Sequence, residues 1–196
     1  MKKGEKRKQE LLRIAYEMFI TKGYEATSVD EIIDKVQIAK GTYYYYFESK
    51  EQMLEEVIGM MIAAEAEKAK AILAQIIPSP QKIVGIIAAM RPESNEAPIE
   101  NELERPENLV MHKKIRKKLT QTIVPLLTEA VEQGISEGIF SCDNITERVK
   151  IILNISVDLF DEGNFTQNDI AVLIDTVEKL LGAQSGTMGS IKALIR

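Results

Sequence analysis

The chain has almost none of the residues from which most metal and nucleophilic sites are built: one histidine, His112, and one cysteine, Cys142, in 196 residues. A single cysteine excludes an intrachain disulfide framework, and one Cys with one His cannot complete a Cys/His zinc site. A Cys–His nucleophile pair is possible on paper, but nothing orients it. No paired catalytic constellation stands out, so the expectation is a non-enzyme without cofactor or metal. Long hydrophobic runs are also missing. Val57–Ala64 and Ile83–Met90 are the longest, far below the roughly 18 to 20 residues that span a bilayer. The N-terminus is basic and leads straight into an amphipathic pattern, without the apolar core of a signal peptide. A reduced, cytoplasmic protein with no membrane partner is expected. Alternating strand patterns and internal repeats are absent as well.

Excess positive charge is lacking overall: 25 Lys and Arg face 30 Asp and Glu, for a net charge of −5. Counted by region the picture changes. Residues 1–50 hold ten bases and eight acids, net +2, and the remaining 146 residues carry −7. A mildly basic head on an acidic body is the expectation.

What is present is helical periodicity nearly throughout. From Lys6 to Thr21, Leu11, Leu12, Ala15, Met18 and Phe19 share one face, and Gly23 would end that helix in a left-handed cap. Ser28 with Glu31 reads as a capping box. Val29, Ile32, Ile33 and Val36 then give a short helix with one buried face. After a break at Gln37–Ala39, a second short helix is predicted from Lys40 to Phe47. Ser49 with Gln52 opens a long helix that could reach Ile77, before Pro78 and Pro80 stop it. Ser79–Met90 reads as a mostly buried helix. Residues 91–108, with three prolines and six glutamates, read as a solvated, mobile connection. Leu109–Gly134 is helical again, with a kink or boundary expected between Leu119 and Pro125. Ile145–Asp161 and Gln167–Leu181 are two more strong helices. The Gly/Ser-rich tail, 182–189, is followed by one last turn at Ile191–Ile195.

Two short helices joined by a three-residue break, after one amphipathic helix, make a three-helix head with a helix-turn-helix. In such a unit the second short helix lies in the DNA major groove with its first residues near base edges. Here Gly41 removes bulk where backbone must approach. Thr42 offers a hydroxyl and a methyl, suited to a phosphate or a thymine methyl. Tyrosine rings can pack on sugars while donating to phosphates. Tyr43 and Phe47, four apart, read as core, and Tyr44 as DNA-facing. Lys50, at the first turn of the next helix, places a cation beside free backbone N–H groups. The basic run at Lys2, Lys3, Lys6, Arg7 and Lys8 stays open between a solvated end and a grip on phosphate.

The stretch from Gly23 through Val29 and from Lys40 through Glu51, with Tyr43-Tyr44-Tyr45-Tyr46-Phe47-Glu48-Ser49-Lys50 at its centre, resembles the DNA-binding head of the TetR/AcrR family of transcriptional regulators. The resemblance covers about residues 8–57. A weaker cue, Gly134-x3-Gly138-x-Phe140, resembles the end of the family's seventh helix. The resemblance implies an all-α homodimer with a helix-turn-helix head, residues 1–50, and an effector-binding and dimerisation body, residues 51–196. It implies DNA contacts at Thr27, Ser28, Lys40, Gly41, Thr42, Tyr44, Tyr45, Tyr46 and Lys50. The implied partners are a pseudo-palindromic duplex operator, a small-molecule effector and a second copy of the chain. Two departures stand out. Where the family usually has Gly-Val-Ser, this chain has Gln37-Ile38-Ala39. Gln37 would sit in a left-handed position without the freedom of glycine, and Ala39 lacks the hydroxyl that caps the recognition helix.

The body reading is coarser. The helices at 145–161 and 167–181 carry apolar residues over more than one stripe, among them Val149, Ile151, Ile152, Ile155, Leu159, Phe160, Val172 and Leu173, which predicts a dimer interface. Met90, Met111 and His112 are candidate effector contacts, although core packing and an exposed histidine are the bland alternatives. An apolar, uncharged or cationic effector would suit the acidic body. The leading function is a ligand-responsive, homodimeric repressor. A helical adaptor, or a small-ligand-binding protein without DNA binding, is the alternative, and salt-dependent binding to duplex DNA separates them.

Overall fold

The computed structural model describes residues 3–91, 93–161 and 165–194. Its order is α1 Lys3–Lys22, α2 Val29–Val36, α3 Lys40–Tyr46, α4 Lys50–Leu73, α5 Ser79–Ala89, α6 Ala97–Leu103, α7 Leu109–Ser136, α8 Ile145–Asp161 and α9 Gln167–Leu181, with short 3-10 turns at Ser94–Glu96, Pro106–Asn108 and Gly189–Leu194. No strand occurs among the described residues, so the all-α expectation holds. The chain divides into two compact units, residues 1–64 with 92–119 and residues 65–91 with 120–196. α4 and α7 each contribute to both.

In the first unit the apolar faces expected from periodicity converge. Leu11, Ala15 and Phe19 of α1, Ile32 and Val36 of α2, Tyr43, Phe47 and Leu54 are all buried. Each of the larger aliphatic and phenylalanine side chains contributes about 1.5–3 kcal/mol relative to exposure. The Phe19 and Tyr24 rings meet edge-on at 5.2 Å, which ties the end of α1 to the turn before α2.

Residues 93–108 correct the sequence reading of a solvated, mobile connection at 91–108: they form no loop. They contain α6 and two 3-10 turns, and α6 packs on α1. Ile99 is only 1% exposed. The reason is that the segment's buried acids, Glu96 and Glu102, have protein partners. Tyr16 donates its hydroxyl to the buried Glu96 carboxylate at 2.8 Å. Arg105 and Asn108 donate to the buried Glu102, and Arg105 also reaches Glu25 at 2.7 Å. A carboxylate with donors from its own chain is folded material, whatever its composition suggests.

α7 runs unbroken from Leu109 to Ser136 with Pro125 inside it, so no helix boundary occurs at 119–125. Proline removes one backbone N–H. Ile123, Val124, Leu126 and Leu127, buried on either side, hold the helix through that loss. α4 stops at Leu73, short of Ile77, because Lys82 donates its ammonium to the Leu73 carbonyl at 2.6 Å and closes the helix end. In the second unit, Gly134 is demanded by packing: a Cβ there would overlap the Phe140 ring. Gly138, at φ 71°, turns the chain back so that the Phe140 N–H reaches the Gly134 carbonyl at 3.1 Å. The tail is folded down as well. The buried Glu178 carboxylate accepts from the N–H groups of Gly186 and Met188, and Met188 is fully buried. The predicted last turn forms as far as Leu194; Ile195 lies outside the described residues.

Candidate nucleic-acid interface

The helix-turn-helix is set up by local chemistry at each joint. Ser28 accepts from the Glu31 N–H at 3.2 Å, and Glu31 accepts from the Ser28 N–H at 2.9 Å, completing the expected capping box. The Lys22 ammonium, followed by the Ser28 N–H and hydroxyl, holds the Glu31 carboxyl at about 2. The turn bears both departures in the form expected. Gln37 closes α2 at φ 56°, ψ 55°, a left-handed conformation that costs a side-chain-bearing residue about 1–2 kcal/mol. Ala39 precedes α3 in extended conformation and makes no side-chain cap bond.

α3 divides its aromatic run between two jobs. Tyr43 and Phe47 are buried with ring centres 5.6 Å apart. The Tyr43 hydroxyl donates to the Ser49 carbonyl at 3.4 Å, and burial pushes its pKa up to about 12. Tyr44 and Tyr45, in contrast, are 49% and 80% exposed. Tyr46 is half-buried, its ring edge-on to Tyr45 at 5.0 Å. Thr42 is half-exposed, and Lys40 and Gly41 are exposed. Nothing lies within 4 Å of where a Gly41 Cβ would stand, and its φ is not positive. Neither packing nor backbone conformation of this chain therefore requires glycine there, though glycine costs roughly 1 kcal/mol in a helix.

Three charged or hydroxyl residues are placed less simply. Thr27, expected at the interface, is 0% exposed, and its hydroxyl donates to the Gly23 carbonyl at 2.8 Å. In this structure the side chain braces the α1–α2 turn and presents no accessible surface. Lys50 donates to the Tyr24 and Thr27 carbonyls at 3.1 and 3.2 Å, with its ammonium 4.0 Å from the centre of the Tyr24 ring. Two of its three donors thus staple α4 to the same turn. Lys40 pairs with Asp30 at 2.8 Å, and the Asp30 carboxylate raises its pKa above the ordinary lysine value. That pair is exposed on both sides, so its partner can be exchanged at little cost. Asp30 and Glu25 were not among the expected site residues. Their only sequence signal is an acid placed near a basic helix end.

The expected effector contacts are not brought together in one unit. Met90 is buried at the end of α5 in the second unit, whereas Met111 and His112 are half-buried on α7 in the first. The second unit also has an open hollow of about 610 Å³ lined by Val124, Pro125, Thr128, Glu129, Glu132 and Thr146. The hydroxyl of Thr128 is buried and has no hydrogen-bond partner. No group of three or more His, Cys, Asp or Glu suited to a metal ion occurs among the described residues. No described helix is long and apolar enough to cross a membrane.

Comparison with known proteins bears on both parts of the chain. Residues 11–57 match the bacterial regulatory proteins of the tetR family, and residues 92–179 match the tetracyclin repressor-like C-terminal domain. The HTH-type transcriptional repressor KstR2 of Mycolicibacterium smegmatis is 48% identical over 52 residues, 26% of this chain and 25% of that protein. The chain thus spans about a quarter of the length of the first curated relatives it matches. An uncharacterized HTH-type transcriptional regulator of Bacillus subtilis, YhgD, is 26% identical over 160 residues, 79% of this chain and 83% of its own. Both are named as transcriptional regulators, not enzymes. Among solved structures, RolR in complex with resorcinol shares the fold with a TM-score of 0.65 at 15% identity, covering 96% of this chain and 94% of that one. With a matching head, a matching body and the shared helical fold, the chain belongs to the TetR family of bacterial transcriptional regulators.

Proposed function

We propose that this protein is a homodimeric repressor that binds a pseudo-palindromic duplex operator through α3 and is released by a small effector bound in its body. The observation that carries the reading is the outer face of α3. Tyr44 and Tyr45 are held outward by the buried Tyr43 and Phe47 beside a Gly41 that this fold does not need. Flat rings with hydroxyl tips fit sugar and phosphate, and a bare backbone fits close approach to the groove. Ser28, Lys40, Thr42 and Tyr46 surround that face as further contacts. Lys50 contributes one remaining donor and chiefly positions the turn.

Support for the dimer comes from α8 and α9. These two helices pack on each other yet leave Ile151, Ile155 and Val172 exposed. The side chain of Phe160, also expected there, lies outside the described residues. A two-fold pairing of such helices buries both apolar faces, and a pseudo-palindromic operator requires two heads reading half-sites roughly 34 Å apart, one turn of DNA. For the effector, the hollow offers two carboxylates, Glu129 and Glu132, beside the apolar Val124 and Pro125. That chemistry suits an apolar cation. Met90, Met111 and His112 do not line it.

The test is selection of duplexes from a random library, followed by salt titration of binding. Tyr44→Phe is expected to weaken all sequences alike, and Thr42→Ala or Tyr45→Ala to change which sequences are selected. Absence of salt-dependent duplex binding by the wild-type chain would sink the reading and leave a helical adaptor in its place. Light scattering at micromolar concentration tests the dimer, which Val172→Asp should dissociate.

A further inference from the structure

The first half of α7 carries a dense run of positive charge. Residues 113–118 read Lys-Lys-Ile-Arg-Lys-Lys, five cations around the buried Ile115. This arrangement works against the helix that holds it. Lys113 and Lys117, and again Lys114 and Lys118, are like charges one turn apart. Part of the cluster is neutralised within the chain. Lys114 pairs with Glu55 of α4 at 3.2 Å, the Lys118 ammonium lies over Gly59, and Arg116 and Lys118 have partners of their own. Lys113 and Lys117 are exposed and have no carboxylate partner among the described residues.

Their position suits one polyanion. They belong to the same compact unit as α3. The pairings of 114 with 55 and of 118 with 59 set α7 parallel to α4 in matched register. Followed back by five residues, that register puts Leu109 level with Lys50, at the end of α4 that follows directly on α3. Lys113 then stands about 6 Å along the axis from that level, and Lys117 about 12 Å. The ion pair from Arg105 to Glu25 anchors the start of this segment at the α1–α2 turn, beside Ser28. A lysine side chain spans the first of these distances.

We infer that Lys113 and Lys117 form a second cationic strip that takes the phosphate backbone of duplex DNA flanking the site under α3. The inference rests on the proposal that α3 binds DNA. Lys113 makes the nearer contact, and Lys117 adds to the field for DNA that extends past the core site.

The probe is a duplex selected from a random library by the wild-type protein, placed centrally in fragments of about 20 and about 44 base pairs, the longer one adding phosphates that lysines outside the core can neutralise. The wild-type chain is expected to show a steeper salt dependence on the longer fragment. Lys113→Ala with Lys117→Ala should flatten the slope of log affinity against log salt by up to about 1.8 on the long fragment and much less on the short one. Lys113→Arg with Lys117→Arg should keep the wild-type slope, which a purely structural role for the lysine stems would not require. Melting temperature is the control, and Lys113→Gln with Lys117→Gln, which keeps long side chains, replaces the alanine pair if that pair unfolds. Wild-type binding with an unchanged slope in the charge-removed variant overturns the strip as a DNA surface. Failure of the wild-type chain to enrich any duplex from the library removes the DNA-binding reading itself, so the two failures are distinguishable.

Discussion

α3 and α6 are both seven-residue helices in the same compact unit, and they spend their polar groups in opposite ways. α3 buries one tyrosine and leaves Tyr44, Tyr45 and the Gly41 backbone facing outward. In the segment of α6, the buried carboxylates Glu96 and Glu102 are tied to Tyr16, Arg105 and Asn108. Polar groups that their own chain satisfies are part of the fold, and those left unsatisfied at an ordered surface are available to a ligand. Residue type alone does not separate the two cases. A glutamate-rich segment is folded here, while an aromatic one faces outward.

The largest effects should come from breaking the buried side of each helix. Tyr43→Ala removes a fully buried ring and should cost about 3–5 kcal/mol, enough to unfold the head, whereas Tyr45→Ala should stay within about 0.5 kcal/mol. Thermal melts of the two variants test this directly, and equal losses would erase the division of labour within α3. Ile99→Ala should cost about 2–5 kcal/mol in urea unfolding; a loss near zero would return residues 91–108 to the status of a loop. Tyr16→Phe is a smaller version of the same test. It strips a donor from the buried Glu96 carboxylate, and a loss of about 1–3 kcal/mol is expected.

Restoring what α3 lacks sharpens the comparison from the other side. Ala39→Ser supplies the missing cap and should raise stability by about 1 kcal/mol, seen as a higher melting temperature. The smallest effect expected is on pH. The Glu31 carboxyl titrates at about 2 in the folded head against an ordinary value of 4.5. A depressed carboxylate stabilises the folded state above its unfolded pKa, and that stabilisation is lost as pH falls from about 4.5 towards 2. Glu31→Gln should therefore flatten the acid limb of the head's melting curve. An unchanged limb would mean that Lys22 and Ser28 do not hold the carboxylate in solution.

Much of this was legible in residue order because the forces involved are local. Periodicity placed α2, α8 and α9 at their observed bounds, the Ser28–Glu31 pair announced its capping box, and Gln37 and Ala39 carried the strained turn and the uncapped helix. Spacing also separated Tyr43 and Phe47 from Tyr44, since residues four apart share a helical face. Other features depended on partners distant in sequence. Thr27 looks like any exposed hydroxyl until Gly23 and the surrounding core enclose it. Lys50 looks like a free phosphate ligand until the Tyr24 and Thr27 carbonyls occupy it. Residues 91–108 look solvated until Tyr16, 80 residues before Glu96, supplies a donor.

The sequence by itself determined that the chain is helical, that its head is a helix-turn-helix with an aromatic second helix, and where that helix starts and stops. Hydrophobic period, caps and breakers act over a few residues, so they can be read in order along the chain. Only the tertiary structure decided which charged and hydroxyl groups are spent inside the fold and which remain outside it. That choice depends on what lies within about 3 Å of each polar atom, and for Thr27, Lys50, Glu96 and Lys113 the answer is set by folding, not by neighbours in sequence.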